Sequence, residues 1–141
     1  MSESNKQVVR RFIEEGLGNA DPDAAAQCLA PGATSELMAA EPMGIVVERE
    51  DFLRTIGHFR KMVPGGLNPR ITDIHADGDH VIVEWQGNGV SIEGTPYANR
   101  YCMVCRLENG RIKTIKEYLC TMLAGRVLGA LHQALEEEEK P

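Results

Sequence analysis

The spacing of apolar residues changes once along this chain, near residue 68, and that change limits the fold more than any other feature. Up to Met62 the apolar positions recur every three or four residues; from Arg70 onward they alternate. The first period turns one side of a helix to a core, and the second turns one face of a strand to it. Helices first and strands afterwards make an α+β domain in which the helices cover one face of a sheet.

The first helix runs from Ser4 to about Gly16, with Val8, Val9, Phe12 and Ile13 on one side. Asp21 caps a second helix, Pro22 lies in its first turn, and it continues through Ala24, Ala25 and Leu29 to a stop at Pro31-Gly32. Ala33 to Met38 reads as a short strand. Glu48 to Met62 reads as a third helix with the stripe Phe52, Ile56, Phe59 and Val63, and Pro64-Gly65-Gly66 stops it. Four strands follow: Arg70 to His75, His80 to about Ile92, Tyr97 to Leu107 and Arg111 to Leu119. Their connections are short, which predicts an antiparallel meander. A last helix, about Thr121 to Glu138, aligns Leu123, Val127, Leu131 and Leu135; Glu136 to Glu139 reads as a solvated tail, because carboxylates at a helix C-terminus oppose the macrodipole. No repeat or linker divides the 141 residues, so one domain is expected.

Composition excludes several classes of function. A formal net charge of -6, with Lys and Arg scattered, argues against a nucleic-acid surface. No apolar run approaches the roughly 20 residues of a membrane span, and the polar N-terminus is unlike a secretory leader. Four cysteines at 28, 102, 105 and 120 lie inside patterned segments, which suits a reducing cytoplasm. Cys102 and Cys105 are offset by three on a strand and so face opposite ways, and no two histidines have ligand spacing; neither a metal nor a cofactor is expected.

Strand parity gives the functional reading. With Glu108-Asn109-Gly110 as a three-residue loop, Leu107 opposes Arg111, Met103 opposes Ile115, Tyr101 opposes Glu117 and Asn99 opposes Leu119. One face then carries Asn99, Tyr101, Met103, Cys105, Ile115, Glu117 and Leu119, joined by Val81, Val83, Trp85, Gly87 and Gly89. The other carries Arg100, Cys102, Val104, Arg106, Ile112, Thr114, Lys116 and Tyr118, with Ile82, Glu84, Gln86 and Asn88, and reads as a solvated or dimeric face with cross-strand ion pairs. The first face is the apolar one, so it meets the helices. Glu117 between Ile115 and Leu119 is then desolvated, which raises its pKa toward the range of general acid–base work. Gly87 and Gly89, where side chains would otherwise fill the interior, suggest a cavity. His58, one position before Phe59, lies off the helix stripe and reads as a residue at the pocket edge or in solvent.

The stretch Gly94-Thr95-Pro96-Tyr97-Ala98-Asn99-Arg100-Tyr101, followed by Asn109-Gly110-Arg111-Ile112 and Glu117-Tyr118-Leu119, resembles the C-terminal half of the SnoaL-like proteins. These belong to the nuclear transport factor 2-like superfamily, with ketosteroid isomerases and limonene epoxide hydrolases. The resemblance implies a cone, a curved antiparallel sheet wrapped around the N-terminal helices with a C-terminal helix, and a pocket at its open end. It also implies cofactor-independent acid–base chemistry, of isomerase or lyase type, on a small hydrophobic carbonyl or aromatic molecule. Glu117 matches the acid of the closing strand. Tyr101 and Asn99 would be the hydrogen-bond donors, and Trp85, Gly87, Met103, Ile115, Leu119, Phe59, His58 and Leu37 would line the substrate site. Two departures qualify this. The second acid and the arginine of the epoxide hydrolases fall at Gly87 and Trp85, and the aspartate that many SnoaL-like chains carry after Glu-Tyr-Leu is Cys120. The rivals to an isomerase or lyase are a non-catalytic binding or dimerisation module and an epoxide hydrolase. A homodimer through the sheet is expected, as in many relatives.

Overall fold

The computed structural model describes residues 2–126. Helix α1 (Ser2–Arg11) opens the chain and buries Val9; exposed pairs Arg10–Glu14 and Arg11–Glu15 support its outer side at helical spacing. It passes directly into a wider π-helical stretch, Phe12–Leu17, in which Gly18 N donates to Ile13 O at 2.7 Å. The widened turn rotates both Phe12 and Ile13 into the core. Helix α2 (Pro22–Cys28) starts as expected: the Asp21 carboxylate accepts from Asp23 N at 3.0 Å and Ala24 N at 3.3 Å.

Helix α2 is shorter than its sequence suggests. Leu29 already belongs to strand β1 (Leu29–Leu37), so Pro31-Gly32 lies within a strand rather than at a helix end. Gly32 takes φ 73°, and the pairing of β1 shifts between Leu29 and Thr34. A Pro-Gly pair thus serves as a kink in a strand, where the local pattern alone reads as a stop. A three-residue strand β2 (Val46–Glu48) then precedes helix α3 (Arg49–Met62).

Strands β3 (Arg70–Asp77), β4 (His80–Val90), β5 (Pro96–Glu108) and β6 (Arg111–Leu119) form the expected antiparallel meander. The full sheet has the order β2-β1-β6-β5-β4-β3, and β1 pairs with β6 in parallel, a departure from an all-antiparallel sheet. Helix α1 packs across β3, β4 and β6. The alternation on β4 is complete: Val81, Val83, Trp85, Gly87 and Gly89 are buried, while Ile82, Glu84 and Asn88 are exposed. Among the described residues none of Glu84, Arg100 and Lys116 forms the cross-strand ion pair expected of that outer face. The last expected helix is present over residues 121–126, and its continuation to Glu138 lies outside the described residues.

The β5–β6 hairpin shows how a turn sets what faces inward. Asn109 and Gly110 both take positive φ, 52° and 76°, and Glu108 pairs with Arg111. This is a two-residue turn of the mirror-image type that suits hairpin twist, one residue shorter than expected. A bulge at Lys113 follows, since Leu107 pairs with Ile112 but Arg106 with Thr114. Beyond it Met103 opposes Glu117 and Tyr101 opposes Leu119. The register therefore differs by two from the one expected, and a shift of two leaves every side chain on its face. Ile112, on the turn side of the bulge, is the exception: it is fully buried instead of facing outward.

Gly89 does not open a void, and Gly87 opens none toward the helices. A Cβ on Gly89 would lie 2.7 Å from the Gly66 carbonyl oxygen and 2.8 Å from Val63 Cγ1; one on Gly87 would lie 3.2 Å from the Tyr101 ring. The glycines admit the turn after α3 and the aromatic side chains, which take the space that a cavity was expected to hold.

Candidate functional site

A cavity of about 120 Å³ lies between α3 and the inner face of the sheet. Strand residues Trp85, Tyr97, Tyr101, Glu117 and Leu119 form one wall. Phe52, Thr55, Ile56 and Phe59, one side of α3, form the other, and Leu17, Ala20 and Leu67 close the end. Strand alternation and the helical stripe bring these together: every second residue of β5 and β6 meets every third or fourth residue of α3.

Among the described residues Glu117 is the only carboxylate on the cavity wall. Removal from water pushes its pKa from 4.5 up to about 7, and no other cause contributes. The residue keeps some accessible surface. It lines the cavity, whose walls are mostly apolar. Among the described residues the carboxylate has no hydrogen-bond partner, so none of them stabilises its charged form. Its backbone is fixed: Met38 N donates to Glu117 O at 2.9 Å, and Leu37 is its parallel partner on β1.

Beside it stand two phenols. Tyr101 Oη donates to Tyr97 Oη at 3.3 Å, and Asn99 Nδ2 donates to the same Tyr97 oxygen at 3.0 Å. Burial is the main reason both tyrosines titrate above their ordinary value, and the nearby Glu117 charge adds to it. Both therefore stay protonated at neutral pH. Whichever phenol donates within the pair, one O–H remains for a third group. Tyr101 also stacks on Trp85, ring centroids 4.0 Å apart and planes 13° from parallel.

The other candidates fall in different places. Asn99 is buried but is not part of the cavity wall. Its Oδ1 accepts from Arg100 N at 2.8 Å and Cys120 N at 3.1 Å, and its Nδ2 also reaches Cys120 O at 3.2 Å. The amide ties the end of β6 to β5 and braces Tyr97, so it is spoken for structurally. Met103 and Ile115 are buried in the core rather than on the wall, Gly87 lies beside the Trp85–Tyr101 stack, and Leu37 and His58 are part-exposed and not on the cavity wall. Tyr97, which supplies the central hydroxyl, and Thr55 are wall residues with polar groups that are missing from the sequence candidates; Tyr97 shares its face with Asn99 and Tyr101, so parity alone is the signal that finds it. Among the described residues no three His, Cys, Asp or Glu side chains gather as metal ligands, and no helix is long and apolar enough to cross a membrane.

A sheet folded over three helical segments is the fold of a class: small α+β cones of the nuclear transport factor 2-like type. A proposed isomerase from Bacillus subtilis superposes with a TM-score of 0.73 at 24% identity, covering 90% of this chain and 94% of the other. An epoxide hydrolase of the LEH-like type from M. tuberculosis gives 0.73 at 19% identity over 98% of each chain. A proposed polyketide cyclase from Streptomyces antibioticus gives 0.72 at 22% identity, covering 89% and 98%. At these identities the likeness carries the fold alone. A family model described as SnoaL-like domain matches residues 9–115, and the chain belongs to that family. No curated protein matches the sequence itself.

Proposed function

We propose that this SnoaL-like protein is a cofactor-independent enzyme in which Glu117 moves a proton on a compact hydrophobic carbonyl compound, an isomerase- or lyase-type step. The observation that carries this reading is the one carboxylate that the described residues bring to the cavity, held near pH 7 by burial, next to a pair of protonated phenols. A base with a pKa close to the working pH is present in both forms, so it can take a proton from carbon and return it. As Glu117 removes a proton α to a carbonyl, negative charge grows on the oxygen. The spare O–H of the Tyr97–Tyr101 pair is a donor for that charge in a site with little water. Asn99 acts as a positioning residue through Tyr97.

Epoxide hydrolysis is the weaker reading, because the cavity wall holds one acid where that scheme uses two. A non-catalytic dimerisation module is favoured by one observation: about 120 Å³ is well below the roughly 300 Å³ of small ligand pockets. The outer sheet face, with Ile82 41% and Tyr118 44% exposed, is the surface we propose for a homodimer. The enzymatic reading is tested with cyclopentanone in D₂O, following loss of its α-proton signal by NMR. Wild-type protein should accelerate the exchange and Glu117→Gln should lose at least about 100-fold of that acceleration. Equal rates for the two proteins, or none above solvent, would leave only the non-catalytic module.

A further inference from the structure

Three side chains of the outer sheet face stand in one row. Arg70 on β3 pairs with Gln86 on β4, and Gln86 pairs with Arg100 on β5. They line a cleft of about 600 Å³ that shares no described wall residue with the Glu117 cavity. Neighbouring strands lie roughly 4.8 Å apart, so about 10 Å of backbone separates the two arginines, a span that their long side chains can close on one bound group. Among the described residues neither guanidinium makes an ion pair or a hydrogen bond, and the Gln86 amide has no partner either. No Asp or Glu among them lines the cleft, in a chain where 21 acids outnumber 15 Lys and Arg. Glu84 shares the face two positions along β4 and is not in the wall. Two like charges side by side with no counter-charge repel, and an anion between them replaces that repulsion with two attractions.

We propose that this cleft is a second binding site, for a small organic anion whose oxyanion group is held by Arg70, Gln86 and Arg100 and whose apolar body lies against Ala98, Cys120 and Leu123. A guanidinium presents its N–H donors in a planar fork that matches the oxygens of a carboxylate or a phosphate, and the Gln86 amide adds donors between the two forks. Asn68 Nδ2 donates to Asn88 O at 2.9 Å, which ties the segment before β3 to β4 on the polar side of the cleft. Toward β6 the wall changes character. Ala98 offers only a methyl group there, and Cys120 and Leu123 follow from the end of β6, which lies beside β5 in the sheet. The volume suits such a molecule, since ligand sites run from roughly 300 to 1,000 Å³. Ile82 and Tyr118 of the proposed dimer surface are not in the wall.

The test is an NMR titration of the whole ¹⁵N-labelled chain, following the arginine Nε–H peaks, with Arg70→Gln and Arg100→Gln to assign them. Benzoate and phenyl phosphate tell a carboxylate from a phosphate as the bound group, and benzyl alcohol is the neutral control. At least one of the two anions should give saturable shifts at both arginine peaks and at the Ala98 and Leu123 amides, while benzyl alcohol leaves the arginine peaks in place. Each arginine substitution should weaken that binding about 10-fold. Both arginines are exposed, so the variants should fold, and the shifts themselves are read on unmodified protein. Acetate or inorganic phosphate binding as tightly as its phenyl counterpart would overturn the role of Ala98, Cys120 and Leu123. Shifts that stay linear, or that move all arginine peaks alike, would show diffuse attraction and overturn the site. Arginine peaks that move with protein concentration in the absence of any anion would make a second copy the occupant, which overturns it equally.

Discussion

Replacing Glu117 by Gln should make the protein more stable at alkaline pH and leave it nearly unchanged at acid pH. The size follows from the site. A rise from 4.5 in the unfolded chain to about 7 in the folded one, at about 1.36 kcal/mol for each tenfold change, is worth about 3 kcal/mol. The sign follows from proton counting. Between those two values the folded protein binds the proton and the unfolded chain has released it, so stability falls as pH rises through this window. Below 4.5 both states are protonated and the difference is gone; above about 7 the whole of it opposes folding. A glutamine side chain keeps the shape of the protonated acid and carries no charge at any pH. Thermal or urea unfolding of both proteins from pH 4.5 to 8.5 reads the effect, and other groups cancel in the difference. The variant's advantage should grow across that range by about 3 kcal/mol, on the order of 10 °C in midpoint for a chain of this size. Parallel stability curves would show that the carboxylate is solvated in the folded state, and the reasoning about the hollow would fail.

Two further predictions concern the frame around the site. Asn99→Ala removes the amide that binds Cys120 N and O, Arg100 N and the Tyr97 hydroxyl; it should cost about 2–4 kcal/mol in chemical unfolding and slow α-proton exchange without moving the pH midpoint of that reaction. Gly89→Ala should destabilise by about 1–3 kcal/mol, because its Cβ meets a backbone oxygen at 2.7 Å, whereas Gly87→Ala meets side-chain atoms no closer than 3.2 Å and should cost less in the same assay.

Much of this is legible in the sequence, for reasons that differ by residue. Alternation on β4 needs no knowledge of partners, so spacing alone places Val81, Val83 and Trp85 inward. Parity puts Glu117 on the inner face even with a turn taken one residue too long, because the shorter turn and the Lys113 bulge together shift the register by two. Ile112 shows the limit, since it lies between turn and bulge and only the bulge decides its face. The parallel pairing of β1 with β6 joins segments some 80 positions apart, and no local pattern announces it. Gly87 and Gly89 mislead because a missing side chain signals close approach as readily as empty space, and only coordinates show Val63, Gly66 and Tyr101 in that space. The position of Asn99 permits a donor role, but the end of β6 already uses its amide.

The central claim is that one acid titrates near neutrality because the hollow denies it water. Side-chain ¹³C NMR of glutamate-labelled protein, with Glu117→Gln to identify the signal, measures that midpoint without any substrate. A Glu117 carboxyl carbon that titrates at about 7 is the predicted result. One that titrates near 4.5, with the bulk of the glutamates, contradicts the account.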